Sequence, residues 1–363
     1  MSSRKIDRTY EPDGTAVRVT GYAQAKEVLR STGTVQAGLG VETVEKLPPS
    51  IRRPVLYRDG EEHREHRRQT ARYFTPRRVD EHYRELMERV ADEQLAHLRS
   101  EPAVDLAKLS FRMAIEVVSA VIGLTESRPG LDKRLDRFFP EKFGKPGFTS
   151  LHGIYWVFKQ NFQFLGIYLA DVRPAVKVRR RQRRDDLISH LIDEGCRDGE
   201  ILGECLTFAA AGMVTTREFV NVVAWHLFTD DALRQRYTGG DETTRVALLH
   251  DLLRLEPVVG NLKRRTTAAI PAGEAVIPKD ALVDVDVSTA NLERADEGPG
   301  LAFGDGPHKC PGAYVAIQEA DIFLSKLFAI EGLRMVKPPR VAMKPDISSY
   351  ELRDFIISVR PPA

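Results

Sequence analysis

Apolar residues recur along most of this chain at three- and four-residue steps, the spacing of one face of a helix. Residues 22–31 (YAQAKEVLRS) show it over a short stretch. From Glu61 to about Leu124 it is nearly continuous, broken at Thr75-Pro76. Residues 185–195 predict another amphipathic helix, and residues 244–256 one more. From about Gly203 to Phe228 the chain is apolar on every side, around the segment AAAGMVTT, which predicts a long buried helix. A last helix is expected from Ala313 to about Ile330. Strand-like runs are few. Val17 and Val19 follow a turn at Asp13-Gly14. Residues 258–289 break into short runs with turns at Pro271–Gly273 and Pro278–Asp280, and the C-terminus ends in short strands. The expected fold class is mainly α with a small β portion.

Residues 150–172 concentrate Tyr155, Trp156, Phe158, Phe162, Phe164 and Tyr168. Such a stripe is more often core than cofactor box, although aromatic side chains also line pockets. No Gly/Ser linker, repeat or low-complexity tract divides the 363 residues, so one domain spanning 1–363 is expected.

Composition narrows the function classes. At 42% hydrophobic and 29% charged the chain is an ordinary globular protein. A formal net charge of +2 gives no reason to expect nucleic acid as a partner. The basic stretch KVRRRQRR (177–184), followed by Asp185 and Asp186, reads as a solvated helix end or loop rather than as a site for an anionic partner. The first residues lack the apolar core of a signal peptide, and no run reaches the roughly 20 apolar residues of a spanning helix. The expectation is a cytoplasmic protein without membrane attachment. Three cysteines without a CxxC pair argue against a disulfide framework and against structural zinc. Cys196 and Cys205 read as buried thiols.

Cys310 stands apart. It lies in FGDGPHKCPGA, residues 303–313, directly before the last helix. Gly304, Gly306 and Gly312 are expected to give positive φ and close backbone approach, and Pro307 and Pro311 to stiffen the loop. A cysteine near a helix N-terminus meets free amides and the positive end of the dipole, which favour its thiolate. A thiolate so held is a good axial ligand for heme iron.

With these residues the chain resembles the cytochrome P-450 family. Phe303, Gly304, Gly306, His308, Cys310 and Gly312 match the family's heme loop position for position. The resemblance implies heme b between the long central helix and the Cys310 loop, with Cys310 as the iron ligand. It extends through the chain in order. His63 and Arg67, one helical turn apart, resemble the pair that binds the heme propionates, and Phe74-Thr75-Pro76 follows as in the family. Asp251 and Arg254 stand where the family usually has a Glu-x-x-Arg ion pair, with an acid one methylene shorter. Arg264, or its neighbour Arg265, resembles a further propionate-binding arginine. Ala211 and Gly212 resemble the small pair that leaves room for dioxygen, and Thr215 the threonine that helps deliver protons to it.

Two departures bear on function. The family usually has an acid before that threonine, and here it is Val214, leaving Thr215, Thr216, Glu218 or solvent to carry the proton. The segment between Asn291 and Phe303 is also short, with Arg294 as a candidate third member of the Asp251/Arg254 pair. The resemblance implies a monooxygenase of the EC 1.14 class acting on a secondary metabolite, a small molecule or peptide, and the aromatic residues around 138–168 hint at a planar or aromatic one. Electrons would come from a separate ferredoxin or flavodoxin, steered by Arg64, Arg67, Arg68 and Arg72. The alternatives are a heme-thiolate oxidase that couples or closes rings without inserting oxygen, and a heme-bearing sensor or inactive partner protein.

Overall fold

The periodic segments fold as helices, and their ends follow local chemistry. The computed structural model describes residues 4–5, 15–45, 48, 50–139, 150–293 and 298–359. The turn at Asp13-Gly14 and Arg294 lie outside the described residues. Helices of seven residues or more, in chain order, are α1 (Tyr22–Arg30), α2 (Gly60–Thr70), α3 (Arg84–Ser100), α4 (Leu106–Ile122), α5 (Leu131–Phe138), α6 (Leu151–Ile167), α7 (Arg173–Arg181), α8 (Leu187–Asp193), α9 (Asp198–Ala209), α10 (Thr215–Thr229), α11 (Asp231–Gly239), α12 (Glu242–Leu255) and α13 (Ala313–Phe328). Asp105 caps α4 by accepting from the Ala107 amide at 3.1 Å, and Gly123 ends it in the left-handed conformation. Asp186, Asp230 and Asp241 cap α8, α11 and α12 in the same way.

The long apolar helix is one helical run from Asp198 to Thr229, widened to a π turn at Ala210–Val214. Its second half, α10, is buried on almost every side and packs on α4, α12 and α13. The main core cluster joins these helices with α3, α8 and α9.

The β portion is small. Strands β1 (Val17–Val19), β2 (Thr34–Gln36), β4 (Asn261–Thr266) and β7 (Leu282–Asp286) form a sheet in the order β1-β7-β4-β2. Only the β1–β7 pair is parallel. Between them in sequence lie β3 (Val104–Asp105) and the hairpin of β5 (Ile270–Ala272) with β6 (Ala275–Ile277). The C-terminal strands β8 (Arg334–Lys337), β9 (Arg340–Lys344), β10 (Ser349–Arg353) and β11 (Ile356–Ser358) form two further small sheets, one of which takes in β3. The mainly-α expectation holds.

One expectation needs correction, and another needs an exception. The aromatic stripe of α6 is not core: Tyr155, Phe158 and Phe162 are exposed, while Trp156 is buried. The hydrophobic spacing is real, but this face has no covering element among the described residues. The basic stretch 177–184 is largely the exposed helix end expected, with one exception. Arg179 is buried and pairs with Glu126 and with Asp186 at 2.8 Å, while Arg180 and Arg183 pair with Asp198 and Asp193. These pairs hold the C-terminal end of α7 against α8 and α9.

Polar groups also tie α11 and α12 to α13. Arg245 makes two 2.8 Å bonds to Asp321, which accepts a third from the Tyr237 hydroxyl at 2.9 Å. Asn291 donates to the Arg254 carbonyl at 3.1 Å and accepts from the Leu301 amide at 2.8 Å, fastening the start of the cysteine loop to the end of α12.

Glu319, two turns into α13, is fully buried with no partner for its Oε1. Burial pushes its carboxyl up to about 8. In the unfolded chain it ionises near pH 4.5, so between that pH and about 8 folding holds a proton that the unfolded chain has lost. Stability from this group is therefore full below pH 4.5 and falls as pH rises to about 8. Glu319→Gln is expected to be more stable than the parent at pH 8, by roughly 2 kcal/mol. Thermal unfolding at the two pH values should show the advantage vanish near pH 4.5.

Candidate active site

The cysteine loop is shaped by backbone constraints local to it. The Cys310 amide donates to the Phe303 carbonyl at 2.8 Å, and the Lys309 amide to Gly306 at 3.1 Å, closing the loop on itself. Gly304 and Gly306 adopt φ of +68° and +66°. At Gly306 a Cβ would lie 2.3 Å from the Leu29 carbonyl oxygen, so glycine is required there both for conformation and for the approach to α1. Gly312 corrects the sequence expectation. Its φ is −85°, and a Cβ would meet nothing within 4 Å. It leaves open space beside the cysteine without adopting a positive φ.

Cys310 is accessible yet set among protein atoms. Desolvation raises its thiol pKa; a hydrogen bond from the Gly312 amide and the charge of Arg67 act to lower it. The amide and the guanidinium are the groups that would favour the thiolate.

Beside the loop the structure gathers His63, Arg67, Arg264 and His308. The first two come from α2, whose sequence GEEHREHRRQT is polar throughout but which buries His63, His66 and Thr70. The His63 and His308 rings stack with centroids 4.1 Å apart and planes 20° from parallel. Arg67 donates to the Lys309 carbonyl, joining α2 to the residue before the cysteine. His308 Nε2 lies 2.8 Å from Asp59.

Strand alternation decides between Arg264 and Arg265. Neighbouring residues of β4 point to opposite faces of the sheet; Arg264 is buried and Arg265 exposed. Arg264 lies directly across from Gln36 on β2 and donates to its Oε1 at 2.6 Å. Burial lowers the Arg264 guanidinium to about 10, against the attraction of Asp59. Burial, with the charges of His308 and Arg67, pushes His63 down to about 4. Burial also lowers Arg67.

This is a concentrated set of cationic and neutral donors in which Asp59 is the carboxylate. The Nδ1 of His63 is buried without a partner. Two propionates would supply the missing acceptors and opposite charge, so the set fits a heme. Arg67, Arg264, His63 and His308 are the residues that would hold those groups, and Cys310 the one that would hold iron.

On the long helix, Ala211 and Thr215 share a face, and Ala211 is exposed within it. The Thr215 hydroxyl donates to the Ala211 carbonyl at 2.5 Å. Gly212 faces elsewhere: a Cβ there would come within 2.5 Å of Val118 on α4. Its smallness serves helix packing, not space for dioxygen. Thr216 is buried. Glu218 is also buried and held by Arg217 and Arg353 at 2.7 Å and by the Leu352 amide at 3.0 Å. Thr216 is buried and Glu218 is committed to its ion pairs, which disfavours two of the routes allowed by sequence for a proton. The Asp251–Arg254 pair forms, at 3.2 Å.

Gln36 and Asp59 escaped the sequence reading. Asp59 precedes α2 where a helix cap would stand, but makes no cap; it accepts from the Gln36 amide at 3.2 Å and meets His308. Its signal in sequence is that of an ordinary cap.

No family model matches the chain. It is similar to cytochrome P450 107B1 of Saccharopolyspora erythraea (strain ATCC 11635), at 27% identity over 88% of this chain and 83% of the relative. It is similar to nocardicin C N-oxygenase of Nocardia uniformis subsp. tsuyamanensis, also at 27% identity with 88% and 83% covered. Among solved structures it resembles CalO2, with a TM-score of 0.80 and 19% identity over 98% of this chain and 93% of that one.

His63→Ala and Arg264→Ala are each expected to lower heme retention severalfold while leaving the helical content intact. The heme-to-protein absorbance ratio after gel filtration, with far-ultraviolet circular dichroism alongside, measures both. Full retention in both variants would remove them from the propionate set.

Proposed function

Because this chain belongs to the cytochrome P450 family, whose members bind heme b through a cysteine thiolate, we propose that Cys310 is that ligand here and that the protein oxidises a secondary metabolite. The chain is an oxidoreductase of the monooxygenase type, and its relatives include oxygenases that tailor secondary metabolites. The observation that carries the site reading is the convergence of His63, Arg67, Arg264 and His308 on the Cys310 loop, with buried polar groups that want an anion. When bound, heme supplies dioxygen activation and electron transfer. The protein's own part is to hold the ligand, shield the site and pass a proton.

That last task falls to Thr215. Its hydroxyl is oriented by the Ala211 carbonyl, and no carboxylate precedes it. With Val214 in that place and Glu218 committed to Arg217 and Arg353, a proton reaches Thr215 from solvent or from a group on the substrate. This favours a second reading, oxidation that closes a ring or couples two centres by removing two hydrogens. Product mass separates the readings, since hydroxylation adds one oxygen atom.

Electrons come from a separate ferredoxin or flavodoxin. Lys309, next to the cysteine, is exposed, as are Arg64 and Arg72. Arg67 turns inward to the loop and so leaves the docking patch expected from sequence, while Arg68 stays at the surface, paired with Glu65. Among the described residues no helix is long and apolar enough to cross a membrane. The exposed aromatic face of α6 is consistent with an apolar or aromatic substrate.

The reduced protein with carbon monoxide is expected to show the strongly red-shifted main band of a thiolate-ligated heme, and Cys310→Ser to lose it; an unchanged band in that variant would refute the assignment. Val214→Glu is expected to raise product formed per electron consumed by about two- to tenfold if proton supply limits the parent. Unchanged coupling would mean that Thr215 and solvent already suffice.

A further inference from the structure

A second cluster lies where α2 meets α8. His66, one turn beyond His63, faces His190 and Glu194 at the C-terminal end of α8. His190 and Glu194 are four residues apart and so share one face of the helical turn. One ligand-type atom from each of the three residues lies within 4.8 Å of the others. The His66 and His190 rings have centroids 5.9 Å apart, and His66 Nδ1 lies 4.0 Å from a Glu194 oxygen, too far for a hydrogen bond.

The buried imidazole is the informative member. His66 is 1% exposed, and neither of its ring nitrogens has a partner. The Nε2 of His190 is buried and unpartnered as well. These buried ring nitrogens without partners leave donor and acceptor capacity unused, which is unfavourable unless something fills it. A hydrophobic residue at position 66 would avoid that cost.

We propose that His66, His190 and Glu194 form a binding site for one zinc-type divalent cation, which clamps α2 to α8. Two imidazoles and a carboxylate, with water in the fourth position, are a donor set that zinc takes in tetrahedral geometry. Tetrahedral ligands sit roughly 3.3 Å apart, so the donors must close by about 1–1.5 Å, within reach of side-chain rotation. The end of α8 contributes the negative pole of its dipole. Burial and the nearby charges of Arg58, His190 and Arg52 hold His66 neutral, down to about 3, and burial also lowers His190, so both keep lone pairs free at neutral pH. The surrounding guanidiniums are largely committed. Arg58 pairs with the buried Glu204, and Arg52 donates to Glu194 at 2.9 Å, which holds the carboxylate in place.

The site is independent of the heme assignment, because it uses none of the residues that would hold heme. Its placement has a consequence for them, since His66 lies between His63 and Arg67 on α2. A cation there would fix the helix that presents both.

The test uses heme-loaded protein without a polyhistidine tag, stripped with EDTA, incubated with zinc chloride and desalted. Elemental analysis then reads zinc and iron separately. The parent is expected to retain about one zinc per chain beyond its iron, and its melting temperature to rise with added zinc. Glu194→Gln, which keeps the shape and the bond to Arg52, and His190→Ala are each expected to bind zinc at least about tenfold more weakly at unchanged iron content. A zinc-edge absorption spectrum should show only nitrogen and oxygen neighbours. A parent that retains no zinc, or variants that retain as much as the parent, would overturn the proposal.

Discussion

Positive charge packed against a cysteine loop is the constraint on which this structure turns. Two arginines and two histidines, from α2, the sheet and the loop itself, converge beside Cys310. Desolvation lowers His63, Arg67 and Arg264 together, and Asp59 offsets only part of it for His63 and Arg264. Such a cluster is stable when an anionic group completes it. In a cytochrome P450 that group is the pair of heme propionates, so the same charges that weigh against the empty fold make cofactor binding favourable.

The rest of the architecture brings those four side chains to one place. Register between β2 and β4 sets Gln36 opposite Arg264. Asp59 joins the Gln36 backbone to His308, so sheet, α2 and loop are linked through one carboxylate. Gly306 lets the loop approach the end of α1, and Asn291 ties its start to α12. On the opposite side, the widened turn at Ala210–Val214 presents Ala211 and Thr215, while Gly212 allows close packing on α4. Small residues that look alike in sequence thus do different work, one facing the site and the other a neighbouring helix.

The proton route shows how packing narrows what sequence leaves open. Four candidates were compatible with the chain around Val214. The buried ion pairs of Glu218 and the burial of Thr216 leave Thr215 as the hydroxyl on the Ala211 face. A helix with no acid at that point depends on solvent or substrate for its proton, which links the chemistry performed to what is bound.

The sequence by itself determined what depends on near neighbours: the helices, from their period; the caps, from Asp before an apolar run; the cysteine loop, whose glycines and prolines lie within eleven residues; and the family, from motifs in order. It also placed His63 and Arg67 together, since four residues make one turn. It could not say which of Arg264 and Arg265 turns inward, because that depends on strand register with β2, more than two hundred residues away. It misassigned the aromatic face of α6, because periodicity reveals a stripe but not whether another element covers it. It gave Gly312 a positive φ that the backbone does not adopt. It did not bring Gln36 and Asp59 to the site, nor His66 to His190 and Glu194, because no local pattern encodes contacts between elements far apart in sequence; only the packed tertiary structure sets those distances.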